Sequence, residues 1–238
     1  MMATALRWRL ARWTREQPGK SGLVVMLVLP VVFLLPFERA GLFSSWLQAA
    51  TVVLWLAALA VATIIGRTSG LSDGSIIWPY QKGVSPLDWI GAEWLLDGLL
   101  TAAVVTWWCV CALIAASVRG ALELGDGLPL AVATLLIAAI AHGLLLLVGA
   151  AGSRRGADFV IVLSFLALMR DLIARFLPEV VAPALRLLMP PIPEAVQVGT
   201  LLGNRDPALI QPLLHVGAYF VICFALSYAL LARRRPVL

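Results

Sequence analysis

The run 128-LPLAVATLLIAAIAHGLLLLVGAA-151 decides the fold. It contains no Asp, Glu, Lys or Arg, and its one ionisable side chain is His142 near the middle. About 20 predominantly apolar residues suffice for a helix to cross the hydrocarbon core of a bilayer, and this run exceeds that. The whole chain has the same character. Of its 238 residues 61% are hydrophobic and only 13% charged, with a mean hydropathy of +0.95. Soluble domains carry roughly 25% charged residues, and a water-soluble fold of this size has no interior large enough for so much apolar surface. The expected class is an all-α, polytopic membrane protein forming a single transmembrane domain.

Outward from that run, five further segments have the composition of spans. They cover about residues 21–37, 46–65, 94–118, 158–177 and 213–232, so the pattern predicts six transmembrane helices. The first contains Pro30 and Pro36 and is expected to kink, and the fifth is clearly apolar to Met169, where Arg170-Asp171 breaks it. The third carries Asp97 and the fifth Asp158, each expected in the first turn of its helix, where the dipole and the interface tolerate an anion. Residues 1–20 are different: Arg7, Arg9, Arg12, Arg15 and Lys20 mix with Trp8 and Trp13. Leu6, Leu10 and Trp13 fall near one helical face, which predicts an amphipathic helix lying in the membrane interface. No small-x-small cleavage site follows the first apolar run before Glu38-Arg39, so a cleavable signal peptide is not expected.

The charges set an orientation. With the N-terminus inside, the inner segments hold twelve Lys and Arg and the outer segments six. Basic residues accumulate on the cytoplasmic side, so both termini and the loop at 66–93 are expected to be cytoplasmic. The outer segment 178–212 alternates charges with short apolar runs and includes Pro190-Pro191-Ile192-Pro193. It reads as short helices that cap whatever the bundle encloses, and Asp171 stands one turn from Arg175, within pairing distance on a helix.

Several apparent chemical signals dissolve on inspection. The net charge of +5 comes from residues at span edges and forms no basic stripe interleaved with exposed aromatics, so nucleic acid is not an expected partner. Gly70-Leu71-Ser72-Asp73-Gly74 matches a nucleophile elbow in letters only, with no strand before it and no histidine near it. Gly19-Lys20-Ser21 resembles the end of a phosphate-binding loop, but position 14 is Thr where a Gly is needed. Cys109, Cys111 and Cys223 all lie in apolar runs and read as small hydrophobes. No set of His, Cys or carboxylates has metal-ligand spacing, so neither a metal nor a cofactor is expected. His142 is the one intramembrane ionisable group that invites a role in a translocation path, against the alternative of a histidine bonded to a neighbouring helix.

The loop Ser72–Trp89 is the strongest functional signal. Ser85-Pro86-Leu87-Asp88 has the form of a helix start, with Ser as cap, Pro in the first position and Asp completing a capping box. Upstream, Asp73-Gly74-Ser75 can open a second short helix that ends near Pro79 to Gly83. Asp73-Gly74-Ser75, the stretch Ile76 to Gln81, and Gly83-Val84-Ser85-Pro86 together resemble the permease subunit of an ABC transporter of the type-2 exporter class. In that class an acidic-Gly-Thr/Ser stretch, a coupling helix and a Pro-Val-Ser-like turn precede the third span. The order of elements is similar over nearly the whole chain, down to the proline-bearing stretch at Pro190 to Pro193. An Arg usual near Ser85 is absent.

The resemblance implies a chain without its own ATPase, working with a separate ABC ATPase subunit and with a second permease copy or a homologous permease, in a bacterial-type inner membrane. It implies Asp73, Gly74, Ser75, Ile76, Trp78, Tyr80, Gln81 and Lys82 as the contact to the ATPase, with Ile76, Trp78 and Tyr80 inserted and the polar residues at the rim. Ser85, Pro86 and Asp88 would carry the motion into the third span. The few charges in the spans favour a hydrophobic or amphipathic substrate. The rival readings are a non-transporting membrane scaffold and an intramembrane enzyme built on His142 and the cysteines of the third span.

Overall fold

Ser85 starts the longest helix among the described residues. In the computed structural model its hydroxyl accepts a bond from the Asp88 backbone N–H at 3.0 Å and donates to the Asp88 carboxylate at 2.8 Å. The capping box expected at Ser85, Pro86 and Asp88 is therefore formed, and Pro86 occupies the first helical position. The structure describes residues 2–15, 24, 27, 28, 30, 54–65, 83–118, 127–152, 156–178 and 180–233. Residues 73–82, which include every expected ATPase contact, lie outside the described residues, as does nearly all of the expected first span.

The described elements are α1 (Met2–Arg15), α2 (Leu54–Ile65), α3 (Pro86–Val118), α4 (Gly127–Ala150), α5 (Gly156–Leu168), α6 (Arg170–Ala174), α7 (Val181–Leu188), α8 (Ile192–Gly203), a 3-10 turn (Pro207–Leu209) and α9 (Ile210–Arg233). No strand occurs among the described residues. Among the described residues three helices are long and apolar enough to cross a membrane: α3, α4, and α9 with its preceding 3-10 turn. The described residues thus form a nearly all-helical fold, and its three long apolar helices mark a membrane-associated protein. Residues α2 and α5 contribute are apolar too, but these helices are shorter.

The core is built around α4. On one side α3 runs antiparallel to it: Gly127 at the start of α4 lies against Leu113, late in α3, while Gly98, early in α3, faces His142 late in α4. On another side α9 runs parallel to it, with Phe220 and Cys223 against Gly143 and with Leu231 sharing a buried cluster with Leu146. Then α5 returns antiparallel, its Gly156 against Val148. The central cluster joins Ile137, Ile140, Ala141 and Leu144 of α4 to Val160, Ile192 and Val216 of α5, α8 and α9.

Three sequence-based expectations need correction. The fifth span, expected over 158–177 with a break at Arg170-Asp171, does break there, but into two helices: one from Gly156 to Leu168, a turn at Met169, and the short α6 from Arg170 to Ala174. The break follows from Arg170, whose guanidinium turns inward to Glu194 of α8. Asp158 does fall in the first turn of α5. Asp97, by contrast, sits about three turns into α3 rather than in its first turn, because that helix begins at Pro86. Finally, Asp171 makes its ion contacts with Arg170 at 3.8 Å and Arg186 at 3.4 Å, so α7 has taken the place of the expected Arg175 partner.

The segment before α9 is two short helices with an elbow at Pro190-Pro191. Helix α8 lies along the first half of α4, and glycine makes the approach possible. A Cβ on Gly199 would stand 2.5 Å from the Pro129 carbonyl oxygen and 2.9 Å from the Ala133 Cβ. Gly199→Ala should therefore push α8 off α4 and destabilise the protein by about 1–3 kcal/mol. Thermal unfolding of the detergent-solubilised chain, with Gly217→Ala as the open-space control, measures that difference.

Candidate functional site

Helix α3 carries no basic residue in its last turn and two acids, Glu93 and Asp97, one turn apart on one face. Both are buried, at 1% and 0% exposure. A buried carboxylate needs a compensating charge, and the cation comes from α1. Arg9, 0% exposed, sets its Nε 2.7 Å from Glu93 Oε2 and donates from Nη2 to both Asp97 oxygens at 2.9 and 3.0 Å. The Glu93 contact is a charge contact rather than an aligned hydrogen bond. Trp8 packs beside it on Trp89 of α3, ring centroids 4.8 Å apart.

The triad sets the side of α1 that meets the rest of the protein: Ala5 and Arg9 face inward, while Leu10, of the expected apolar face, is half-exposed. Arg9 and Asp97 were legible in the sequence only as an orientation charge and a tolerated anion, and Glu93 carried no signal on its own. The available clue was the i, i+4 acid pair in a helix without a nearby base, which requires a cation from elsewhere in the chain.

Beside the triad, α3 and α4 enclose a groove of about 280 Å³. Trp94 closes one wall, its ring 6.4 Å from that of His142 and in edge contact with Phe220 and Phe224 of α9 at 6.1 and 5.9 Å. Gly98 keeps the wall open: a Cβ there would touch His142 Cδ2 and Nε2 at 3.7 Å. His142 is 4% exposed, and neither of its ring nitrogens has a hydrogen-bond partner. The Trp94 backbone approaches the ring without completing an aligned bond. Thr101 Oγ1, on the same groove, is also unpartnered. Each such group forgoes about 1–3 kcal/mol of solvation.

A second buried charge cluster lies between α5–α6 and α8. Arg170 holds both Glu194 oxygens, through Nη2 at 2.9 Å and Nη1 at 3.1 Å, and donates to the Arg186 carbonyl at 3.2 Å. His215 Nδ1 of α9 is 3.3 Å from the same carboxylate. The cluster ties the elbow of α7–α8 to the final helix.

Of the expected site residues, the structure places Ser85, Pro86 and Asp88 at the start of α3 and His142 in the groove some three turns along that helix. It does not pair His142 with the cysteines of the third span. Cys109 is eleven residues beyond Gly98, about 16 Å further along α3. The three cysteines are free and buried, and no group of His, Cys, Asp or Glu among the described residues can hold a metal ion. No family model, curated protein or solved structure matches the chain.

Replacing Arg9 exposes what the triad contributes. Arg9→Met leaves Glu93 and Asp97 buried without their cation and should cost about 3–5 kcal/mol. Arg9→Lys should recover part of that loss, since an ammonium cannot reproduce the two-pronged geometry. Thermal unfolding followed by tryptophan fluorescence ranks the three proteins, and equal stability of wild type and Arg9→Met would contradict the role assigned to the triad.

Proposed function

We propose that the chain is the membrane-spanning permease subunit of an ATP-driven exporter. It would have six spans and both termini in the cytoplasm, and would work with a separate ATPase subunit and a second permease. The observation that carries this reading is the connection at Ser85. The loop proposed to receive the ATPase runs directly into the capped start of α3, and α3 holds α1 through Arg9 and borders the groove with His142. A push on the loop would therefore move α1 and α3 as one lever against α4.

The geometry around α8 supports the same reading. Gly199 and Gly203 lie against Pro129, near the start of α4, while Ile192 reaches the cluster formed by the middle of that helix. If α4 crosses the bilayer, the Pro190-Pro191 elbow stands at mid-depth, and α7–α8 form a re-entrant pair. Backbone breaks at that depth are tolerated where protein covers them, and Arg170 and Glu194 would be buried there as a pair. ATP binding would favour one arrangement of α3 against α4 over the other, as any ligand-driven shift requires different affinity for the two states. ATP hydrolysis belongs to the partner in this account, and the cargo is hydrophobic or amphipathic.

Affinity capture of the full-length tagged chain from native membranes tests the proposal. Mass spectrometry should identify an ABC ATPase in the eluate, and Trp78→Ala combined with Lys82→Glu should lower its recovery about tenfold or more, as loss of a buried aromatic anchor does. Undiminished recovery in that variant removes the loop from the interface. An eluate free of any ATPase, with no nucleotide-dependent change in the accessibility of a cysteine introduced in α3, points to a scaffold instead.

A further inference from the structure

The groove between α3 and α4 is apolar along most of its wall but presents two polar groups whose hydrogen-bonding capacity is not filled. His142 is 4% and Thr101 2% exposed, and neither completes an aligned hydrogen bond, the Trp94 backbone being the nearest approach to the imidazole. Buried polar groups in folded proteins are almost always paired, so two orphans facing one space point to an occupant that pairs them. Gly98 stands between, one turn from Thr101 along α3 and in contact range of the His142 ring. The two groups therefore lie about one turn apart along the groove.

We propose that this groove binds an uncharged amphiphile from the bilayer, a long hydrocarbon chain ending in a hydroxyl, with the hydroxyl between His142 and Thr101. The chemistry of the pair selects it. A neutral imidazole offers one donor and one acceptor and a threonine hydroxyl offers both, so a hydroxyl can donate to one and accept from the other. A carboxylate or phosphate would need a cation, and no Lys or Arg among the described residues lines the groove; the nearby guanidinium of Arg9 is already engaged by Glu93 and Asp97. The volume, about 280 Å³, lies just below the roughly 300–1,000 Å³ that encloses a whole drug-sized ligand. It accommodates the polar end and first part of a longer molecule. The tail has a way out, because Leu95 and Leu99 on the rim are 46% and 63% exposed on a helix long and apolar enough to span the membrane. Binding of this kind goes beyond the transport proposal and needs neither an ATPase nor turnover, so the two stand or fall separately.

The test uses the full chain in phosphatidylcholine nanodiscs and a hexadecanol carrying a photoactivatable diazirine near its hydroxyl end. Label should concentrate within residues 94–102 and 135–142, and excess hexadecanol should compete it away while palmitate and hexadecylphosphocholine do not. Thr101→Val with His142→Leu, which replaces both orphans by apolar groups of similar size, should reduce labelling about tenfold, the combined effect of two lost hydrogen bonds. Gly98→Leu fills the groove while leaving both polar side chains in place, its Cβ in ordinary van der Waals contact with the His142 ring, and should block labelling as well; thermal unfolding confirms that each variant is folded. The proposal is overturned if label spreads equally over the outward face of α9, if palmitate competes as well as hexadecanol, or if both folded variants label like the wild type.

Discussion

Burying a guanidinium is the constraint on which the rest of the architecture depends. Arg9 lies wholly inside the protein with Glu93 and Asp97, and desolvating each such ion costs several kcal/mol before any partner is found. The arrangement is viable only because all three groups meet in close geometry. That requirement locates α1 against α3 and fixes which of its faces turns inward. It also fixes the neighbourhood of Trp8 and Trp89. Lysine at position 9 could supply the charge but not the fork that reaches two carboxylates from one side chain.

The same logic recurs at Arg170. An arginine placed at the end of an apolar helix has to find an anion or leave the interior, and it finds Glu194 across the elbow of α7 and α8. The helix therefore stops at Leu168 and the following short helices fold back along α4. Two buried arginines, one at each region of the bundle, account for the elements that depart from a plain set of antiparallel helices. Apolar packing around Ile137, Ile140 and Leu144 supplies the remainder of the core.

What was legible in the sequence divides along physical lines. Local rules worked at Ser85 to Asp88, where the cap, the proline and the acid act within four residues, and at α4 and α9, where composition alone marks a long apolar helix. Long-range pairing was not legible. Nothing local in the first twenty residues states that Arg9 pairs with acids over eighty positions away, and a hydrophobicity count over 158–177 cannot see that Arg170 will be drawn to Glu194. The groove was half visible: His142 stood out as an ionisable group in an apolar run, but Thr101 and Gly98 gain meaning only when α3 and α4 are laid side by side.

The functional account places a lever, α3, between a cytoplasmic loop and a groove, with α1 clamped to it. Its central physical claim is that Arg9 and Asp97 interact directly in the folded protein. A double-mutant cycle on Arg9→Met and Asp97→Leu, read as unfolding free energy of the full chain in mixed micelles, tests it most directly. The account predicts that the double variant is more stable than Arg9→Met alone, with a coupling energy of about 1–3 kcal/mol. Additive effects of the two substitutions would contradict it.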